Sequence, residues 1–187
     1  MKSGVLSESW FTRGRDQPFT MVRVRAAAGD RQRGWLTAPG LEIPVALGRG
    51  GILANKVEGD GGTPRGVFHP RRVWVRTDRL PRPITQLPVR SIAPDDAWCE
   101  DPDDRRYNRP MRWDGTGDRL VRDDHLYDMI IEIDHNTRPR VARRGSAVFL
   151  HLARDGFKPT AGCVAMTRGN LMRLLARLGP RTKIVIG

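Results

Sequence analysis

Short runs of alternating apolar and polar residues recur along most of the chain. Residues 19–25 alternate strictly, and 34–37 follow after a turn at Gly29 and Asp30. Strict alternation over such a length is typical of a half-buried strand, so the two runs predict a β-hairpin. Residues 41–47 form a further strand, in which Pro44 favours a place near the edge of a sheet.

Other apolar runs predict four more strands, which lie at 67–75, 127–134, 146–152 and 183–186. The glycine-dense stretch 48–66 fits neither a phosphate-binding loop nor a dinucleotide-binding motif. It is interpreted as a tight turn that leads into the strand at 67–75.

Helical spacing of apolar residues appears clearly once. Thr167 is a good N-cap, and Gly179-Pro180 would stop the chain from continuing as a helix. The spacing predicts a helix over about 168–178, with its apolar face formed by Leu171, Met172, Leu174, Leu175 and Leu178. The expected fold class is therefore mainly β, a mixed sheet or barrel-like core with one clear helix near the C-terminus.

Domain organisation follows from length and from the distribution of prolines. The chain has 187 residues, enough for one domain, which we place at 18–187 after a flexible lead-in at 1–17. Residues 78–125 are polar, rich in proline and long for a loop, so we expect them to form a lid. Its large aromatic side chains are expected near the rim of the site: Trp98, Tyr107 and Trp113.

The net charge is +12 and the sequence pI is about 11.1, values that favour anionic partners. The arginines are scattered, however, and no zinc-finger spacing or aromatic RNA-binding motif accompanies them. We therefore expect a generally basic surface and no nucleic-acid partner. No stretch is apolar and long enough to span a membrane, and residues 1–16 lack the apolar core of a signal peptide.

The segment from Phe149 to Met166 carries the candidate chemistry. His151 ends a predicted strand, and Cys163 lies twelve residues later, after a turn containing Gly156, Pro159 and Gly162. A loop of this length can return the thiol to the imidazole, which a nucleophilic cysteine needs as its base. The pair predicts covalent catalysis, with the backbone at Gly162 and Cys163 as an oxyanion site. A buried, inert cysteine remains the alternative.

The other histidines and the second cysteine allow alternative assignments. A zinc site is less favoured, because His69, His125, His135 and His151 show none of the usual metal-ligand spacings. His135 is the rival base, since it ends the neighbouring predicted strand. Cys99 is expected to be a spare thiol, not a disulfide partner of Cys163.

These residues resemble the L,D-transpeptidase family of the YkuD type. The run from Thr160 to Ala165, Thr-Ala-Gly-Cys-Val-Ala, is similar to that family's Ser/Thr-His-Gly-Cys-x-Arg/Asn signature, and His151 matches its upstream histidine. Thr63-Pro-Arg-Gly-Val-Phe is similar to the family's Thr-Pro-x-Gly-x-Phe strand. Ala161 and Ala165 depart from the signature, where a histidine and an arginine or asparagine are common.

The resemblance implies a periplasmic enzyme that joins peptidoglycan stem peptides. The thiolate would attack a stem carbonyl, and an amine of a second stem would resolve the acyl-enzyme in a 3-3 or 1-3 cross-link, without metal or organic cofactor. Residues expected to contact substrate are Arg154, Thr160, Ala161, Trp98, Tyr107 and Trp113. An L,D-carboxypeptidase and a non-catalytic wall-binding module remain alternatives. A monomer is favoured, although nothing in the sequence fixes the oligomeric state.

Overall fold

The computed structural model describes residues 17–187, and the predicted lead-in at 1–17 falls almost entirely outside them. The described chain is mainly β, with one α-helix, α1, at Arg168–Leu175 and a 3-10 turn at Asp155–Phe157. The strands are β1 Met21–Ala27, β2 Asp30–Ala38, β3 Leu41–Ala46, β4 Ile52–Leu53, β5 Thr63–Pro64, β6 Gly66–Phe68, β7 Pro70–Val75, β8 Val89–Ser91, β9 Asp96–Trp98, β10 Pro110–Arg112, β11 Asp118–Arg119, β12 Met129–Ile133, β13 Phe149–Leu152, β14 Val164–Met166 and β15 Lys183–Ile186.

Ten of these strands form one mixed sheet in the order β6-β15-β1-β2-β3-β14-β13-β12-β7-β8. The sheet curls into a half-barrel, which confirms the predicted fold class. The pairs β13–β14, β1–β15 and β7–β8 are parallel, and the other neighbours are antiparallel. No helix among residues 17–187 has the length and apolar character needed to cross a membrane.

One face of this sheet packs on α1 and holds the main core. Alternate residues of every long strand point to it, among them Val24, Leu36, Ile131 and Leu150, each fully buried. Thr167 caps the helix by accepting a hydrogen bond from the Asn170 amide, as its position before the apolar spacing predicts. The predicted hairpin at 19–25 and 34–37 is also present, as β1 and β2.

The opposite face, here called the site face, is defined by Trp74, Ile130, Phe149 and His151 on strands β7, β12 and β13. A second apolar cluster forms on it, where Trp98 from the 78–125 segment packs edge-on against Phe149 at 4.9 Å between ring centroids. The central strands are therefore buried on both faces. The site lies between the sheet and this covering segment.

The covering segment is more regular than the expected loop. It contributes β8 to the main sheet and forms a three-stranded sheet of its own, β10-β9-β11. Proline content alone predicts a loop here. The strands are only two or three residues long, however, which is too short for an alternation of apolar and polar residues to be recognised in the sequence.

Two other expectations need correction. The predicted strand at 67–75 is two strands, β6 and β7, which separate at His69 and pair with β15 and β12 respectively. Pro44 does not mark an edge, since β3 lies between β2 and β14. Leu47 N donates to Gln32 O, so Pro44 falls at a non-hydrogen-bonded position opposite Trp35, where its missing N–H breaks no bond to β2.

Candidate active site

Cys163 and His151 meet because β13 and β14 are adjacent parallel strands. The register pairs Leu150 with Val164 and His151 with Ala165, so Cys163 enters β14 beside Phe149. Both candidate side chains line one pocket of about 630 Å³ on the site face. Cys163 is 7% exposed and His151 is 5% exposed, so each reaches solvent only through this pocket.

The turn before Cys163 is fixed by Thr160 and Gly162. Thr160 Oγ1 donates to the Cys163 carbonyl at 2.7 Å and accepts from the Gly162 amide at 3.1 Å. Gly162 has φ of +147°, and a Cβ there would lie 2.9 Å from the Gly62 carbonyl oxygen. Only glycine fits this close approach. The approach brings the turn against the glycine-rich stretch before β5, which forms one wall of the pocket.

The thiol of Cys163 is held by two backbone groups. It accepts a hydrogen bond from the Phe149 amide and donates one to the Ala147 carbonyl, each at 3.2 Å. Burial raises the pKa of the Cys163 thiol to about 12; the Phe149 amide opposes the rise, and the carboxylates of Asp118 and Glu100 add to it. The resting sulfur is therefore protonated.

His151 is also neutral at rest. Burial lowers the pKa of His151 to about 4. Its Nδ1 lies 2.8 Å from the Leu152 carbonyl oxygen, which can only accept, so Nδ1 carries the hydrogen and Nε2 keeps a lone pair. Tyr127 packs edge-on against the imidazole at 5.4 Å between ring centroids. Within residues 17–187 no hydrogen bond joins this ring to the Cys163 thiol.

The carbonyl that holds the thiol belongs to a residue with unusual backbone. Ala147 has φ of +50°, a left-handed conformation that L-residues other than asparagine and aspartate seldom adopt. Its amide donates to Asn108 Oδ1 at 3.2 Å, and Asn108 Oδ1 also accepts from the Trp98 indole at 2.9 Å. Asn108 Nδ2 donates to the carbonyls of His135 and Asn136 at 3.0 and 2.9 Å. This buried amide thus ties the covering segment to the residue that contacts sulfur.

Side chains of both charges surround the pocket. The basic ones are Arg49, Lys56, Arg122, Arg154 and Lys158, and the acidic ones are Glu58, Glu100 and Asp118.

Two acids are shifted by their surroundings. Desolvation raises the pKa of Glu100 to about 7, with repulsion from Asp118 and Glu58 adding to the rise. Burial also raises the pKa of Asp118, which accepts a hydrogen bond from the Tyr127 hydroxyl at 2.7 Å. At neutral pH the pocket therefore holds a carboxyl close to half protonation.

The predicted substrate contacts divide into two groups. Arg154, Thr160 and Ala161 line the pocket. Trp98, Tyr107 and Trp113 do not.

The three aromatic residues have other neighbours. Trp98 lies in the apolar cluster that contains Cys163, and the Tyr107 hydroxyl donates to Glu58, a pocket residue. Trp113 is exposed and stacks with Arg119. The covering segment instead lines the pocket with Glu100, Asp118 and Arg122, which sequence patterns did not single out because charged residues are frequent throughout it.

The other histidines and the second cysteine lie elsewhere. His135, the rival base, does not line the pocket, and its Nε2 lies 3.1 Å from the Arg144 carbonyl oxygen. Cys99 is a buried free thiol in a small separate cluster with Ala97 and Met111. Among residues 17–187, no three His, Cys, Asp or Glu side chains are grouped as metal ligands.

Comparison with known proteins gives a family and two distant structures. The family model for YkuD, the L,D-transpeptidase catalytic domain, matches residues 25–186. The helical cell shape determining protein Pgp2 from Campylobacter jejuni is 14% identical to this chain, with a TM-score of 0.43. The match covers 91% of this chain and 48% of that chain. L,D-transpeptidase 1 from Mycobacterium tuberculosis is 14% identical to this chain, with a TM-score of 0.37. The match covers 89% of this chain and 61% of that chain.

The chain thus spans about half to three fifths of the length of those two structures. No curated protein sequence matches it.

Proposed function

The chain belongs to the L,D-transpeptidase catalytic-domain family, and on that premise we propose that it cross-links peptidoglycan stems with Cys163 as nucleophile and His151 as general base. Enzymes of this type act on the cell wall. The observation that most supports these two residues is their placement: they come from adjacent parallel strands and open into the same pocket, where no other histidine of residues 17–187 is present.

In the first half-reaction, Cys163 Sγ attacks the carbonyl carbon of a diaminopimelate residue in a donor tetrapeptide. The S–H proton passes to His151 Nε2 as the S–C bond forms. The tetrahedral intermediate then collapses, the C–N bond to D-alanine breaks, and the imidazolium returns its proton to the departing amine. The product is a thioester on Cys163.

In the second half-reaction, an amine of an acceptor stem attacks the thioester carbon. His151 takes the amine proton, the S–C bond breaks, and the proton returns to sulfur. Cross-linking and regeneration of the enzyme thus need no redox partner. Water in place of the amine would give the L,D-carboxypeptidase reaction from the same thioester.

The resting charges decide how the thiol is activated. With the Cys163 pKa raised to about 12 and the His151 pKa lowered to about 4, a preformed thiolate–imidazolium pair is strongly disfavoured. Proton transfer therefore accompanies attack on the carbonyl and does not precede substrate binding. Nε2, which keeps its lone pair while Nδ1 donates to Leu152, is the receiving atom.

The backbone near sulfur supplies the oxyanion site. The Gly162 amide is already engaged by Thr160 Oγ1, so the Cys163 amide is the better placed of the two predicted donors. An oxyanion held there would sit beside the attacking sulfur, where a backbone donor is worth about 2.7–4 kcal/mol of transition-state stabilisation.

The pocket's mixed charge suits a stem peptide. Such a peptide carries carboxylates and a free amine, which match the arginines and lysines on one hand and Glu58, Glu100 and Asp118 on the other. Since the polymer lies outside the cytoplasmic membrane, we place the enzyme in the periplasm, with residues 18–187 as its catalytic domain.

The test is incubation of the full chain with purified disaccharide-tetrapeptide, followed by mass analysis of products and of the protein. We expect dimeric muropeptides, release of D-alanine and a thioester adduct on the peptide containing Cys163. Cys163→Ala should give no adduct and no dimer. His151→Ala should slow adduct formation by at least about 100-fold, the usual worth of a positioned base.

Cys99→Ala and His135→Ala serve as matched controls that should retain activity. Release of D-alanine with no dimer would favour the carboxypeptidase. Normal cross-linking by Cys163→Ala would overturn the assignment of the nucleophile, and absence of any turnover by the unaltered chain would overturn the function.

A further inference from the structure

The positive charge of the chain is segregated in the folded molecule although it is scattered in sequence. Residues 78–145, which include the covering segment, hold thirteen basic and fourteen acidic residues. Residues 17–77 and 146–187 together hold seventeen basic and only five acidic residues. The excess charge therefore belongs to the strands and loops outside the covering segment, and long-range attraction of an anionic polymer would be directed there.

The site face continues beyond the pocket, past buried residues of β14 and β3, onto β2 and β1, where its residues are exposed. The register places His151, Ala165, Ala46 and Arg33 in one row across β13, β14, β3 and β2. Adjacent strands are about 4.8 Å apart, so this row spans about 14 Å from the imidazole strand to Arg33. Arg33 Nη2 donates to the Gly156 carbonyl at 2.9 Å, in the loop that forms the near rim of the pocket.

An exposed tryptophan occupies the next row of that face. Trp35 is 44% exposed and pairs across the sheet with Arg25 on one side and Pro44 on the other. Arg23 follows on the same face, opposite Thr37. We call Arg23, Arg25, Arg33 and Trp35 the open face.

Three of the four side chains of the open face, those of Arg23, Arg25 and Trp35, have no ion pair, ring contact or side-chain hydrogen bond with residues 17–187. Arg33 lies 3.9 Å from Asp30, a long contact at an exposed site. Several guanidiniums of the covering segment differ, because Arg90, Arg106 and Arg112 are each paired with an aspartate.

We propose that the open face binds the glycan strand whose stem peptide occupies the pocket. This rests on the proposed function, since it takes the wall polymer as substrate. A flat indole on a sheet offers a surface on which the C–H face of a sugar ring can stack, and the flanking guanidiniums can pair with the carboxylates of the stem peptides that branch from the strand at intervals. The open face adjoins the pocket rim at Arg33, so one polymer can occupy both.

The chain offers a matched control for the tryptophan. Trp113 is 42% exposed, nearly as much as Trp35, but it lies in the covering segment under Arg119 and outside the pocket. Replacing either removes a similar exposed aromatic side chain. Only Trp35 belongs to the proposed binding surface.

The experiment measures co-sedimentation of the full-length Cys163→Ala chain with purified insoluble peptidoglycan at fixed salt. Trp35→Ala, and separately Arg23→Gln with Arg25→Gln, should weaken binding by at least about fivefold, as loss of a central aromatic or arginine contact does. Trp113→Ala should bind like the parent. In the chain with Cys163 intact, Trp113→Ala should turn over soluble disaccharide-tetrapeptide at the parent's rate.

Unchanged sedimentation of Trp35→Ala would overturn the proposal. If that variant also lost binding to vesicles of phosphatidylglycerol, the face would be assigned to a membrane surface instead. Binding needs no turnover, so failure of the proposed catalysis would appear separately, as an inactive parent chain in the soluble assay.

Discussion

The Cys163 thiol donates its hydrogen to the carbonyl of Ala147 at 3.2 Å, and that alanine is held in a left-handed conformation. The contact keeps the proton on sulfur and directs it away from the imidazole. In the proposed reaction, attack on a substrate carbonyl requires this hydrogen to leave Ala147 for His151. The bond is therefore a ground-state restraint that substrate binding has to break.

Thiol titration tests this restraint directly. In a Cys99→Ala background, which leaves Cys163 as the one cysteine, we expect no thiolate absorbance step between pH 5 and 9, because burial raises the Cys163 pKa to about 12. Alkylation by iodoacetamide should be slow at pH 7 and rise continuously with pH. An absorbance step near pH 6 would instead show a preformed ion pair with His151.

Asn108→Ala should damage both stability and thiol positioning. The substitution leaves the Trp98 indole and Ala147 amide without acceptors and two carbonyls without donors, at a site where Asn108 is 4% exposed. Loss of such a buried polar group lowers the free energy of unfolding by about 2–4 kcal/mol. Urea unfolding measures this loss.

A purely structural role for Asn108 would leave the chemistry of sulfur unchanged in the folded variant. We expect instead that alkylation of Cys163 in Asn108→Ala becomes faster than in the parent at the same pH, measured well below the unfolding transition. Asn170→Ala, at a half-buried position in the first turn of α1, is the control and should change neither property. Equal alkylation rates in Asn108→Ala and parent would contradict the positioning role.

His151 should make the fold sensitive to acid. Its pKa is lowered from 6.5 to about 4 in the folded state, so between these values the unfolded chain binds more protons. Its contribution is complete above pH 6.5 and is lost as the pH falls towards 4. His151→Gln should therefore lose less unfolding free energy between pH 7 and pH 4.5 than the parent.

Urea unfolding at several pH values in that window provides the measurement. His125→Gln, which removes an exposed imidazole, is the control and should retain the parent's acid dependence. Parallel curves for His151→Gln and parent would show that His151 is not buried in the neutral form.

Gly162→Ala should displace the turn that carries the nucleophile. The new Cβ would lie 2.9 Å from the Gly62 carbonyl oxygen, and both partners are backbone, so neither can rotate away. We expect a lower melting temperature and a kcat reduced at least about tenfold, because small misplacements of a nucleophile are costly. Gly169→Ala, with open space around its Cβ in α1, should keep the parent's activity and stability. Full activity of Gly162→Ala would contradict the requirement for glycine.

Local patterns were sufficient for the helix and the longer strands, and they singled out two candidate residues that the structure brings into one pocket. Alternation in β1 and β2 and the apolar spacing of Leu171, Leu174 and Leu175 are signals with a short period, so they survive in a single sequence. His151 and Cys163 lie only twelve residues apart in the sequence, so they could be recognised as a candidate pair within one stretch of chain.

The remaining residues in and around the site depend on contacts between distant parts of the chain. Asn108 reaches Ala147 across 39 positions, and Glu58 meets Ser146 across 88. Neither residue type is unusual at its place in the sequence. The open face is similarly invisible, since Arg33 and His151 share a row only because β2, β3, β14 and β13 are neighbours in the sheet.

The double burial of the central strands has a consequence for chemical durability. A sulfur that is protonated and packed beside Trp98 and Phe149 is a poor target for peroxide, because oxidation follows thiolate character and exposure. A resting thiolate at an exposed site is oxidised more readily. The fold itself would thus protect Cys163 from oxidation, which suits the proposed role as the nucleophile of a periplasmic enzyme.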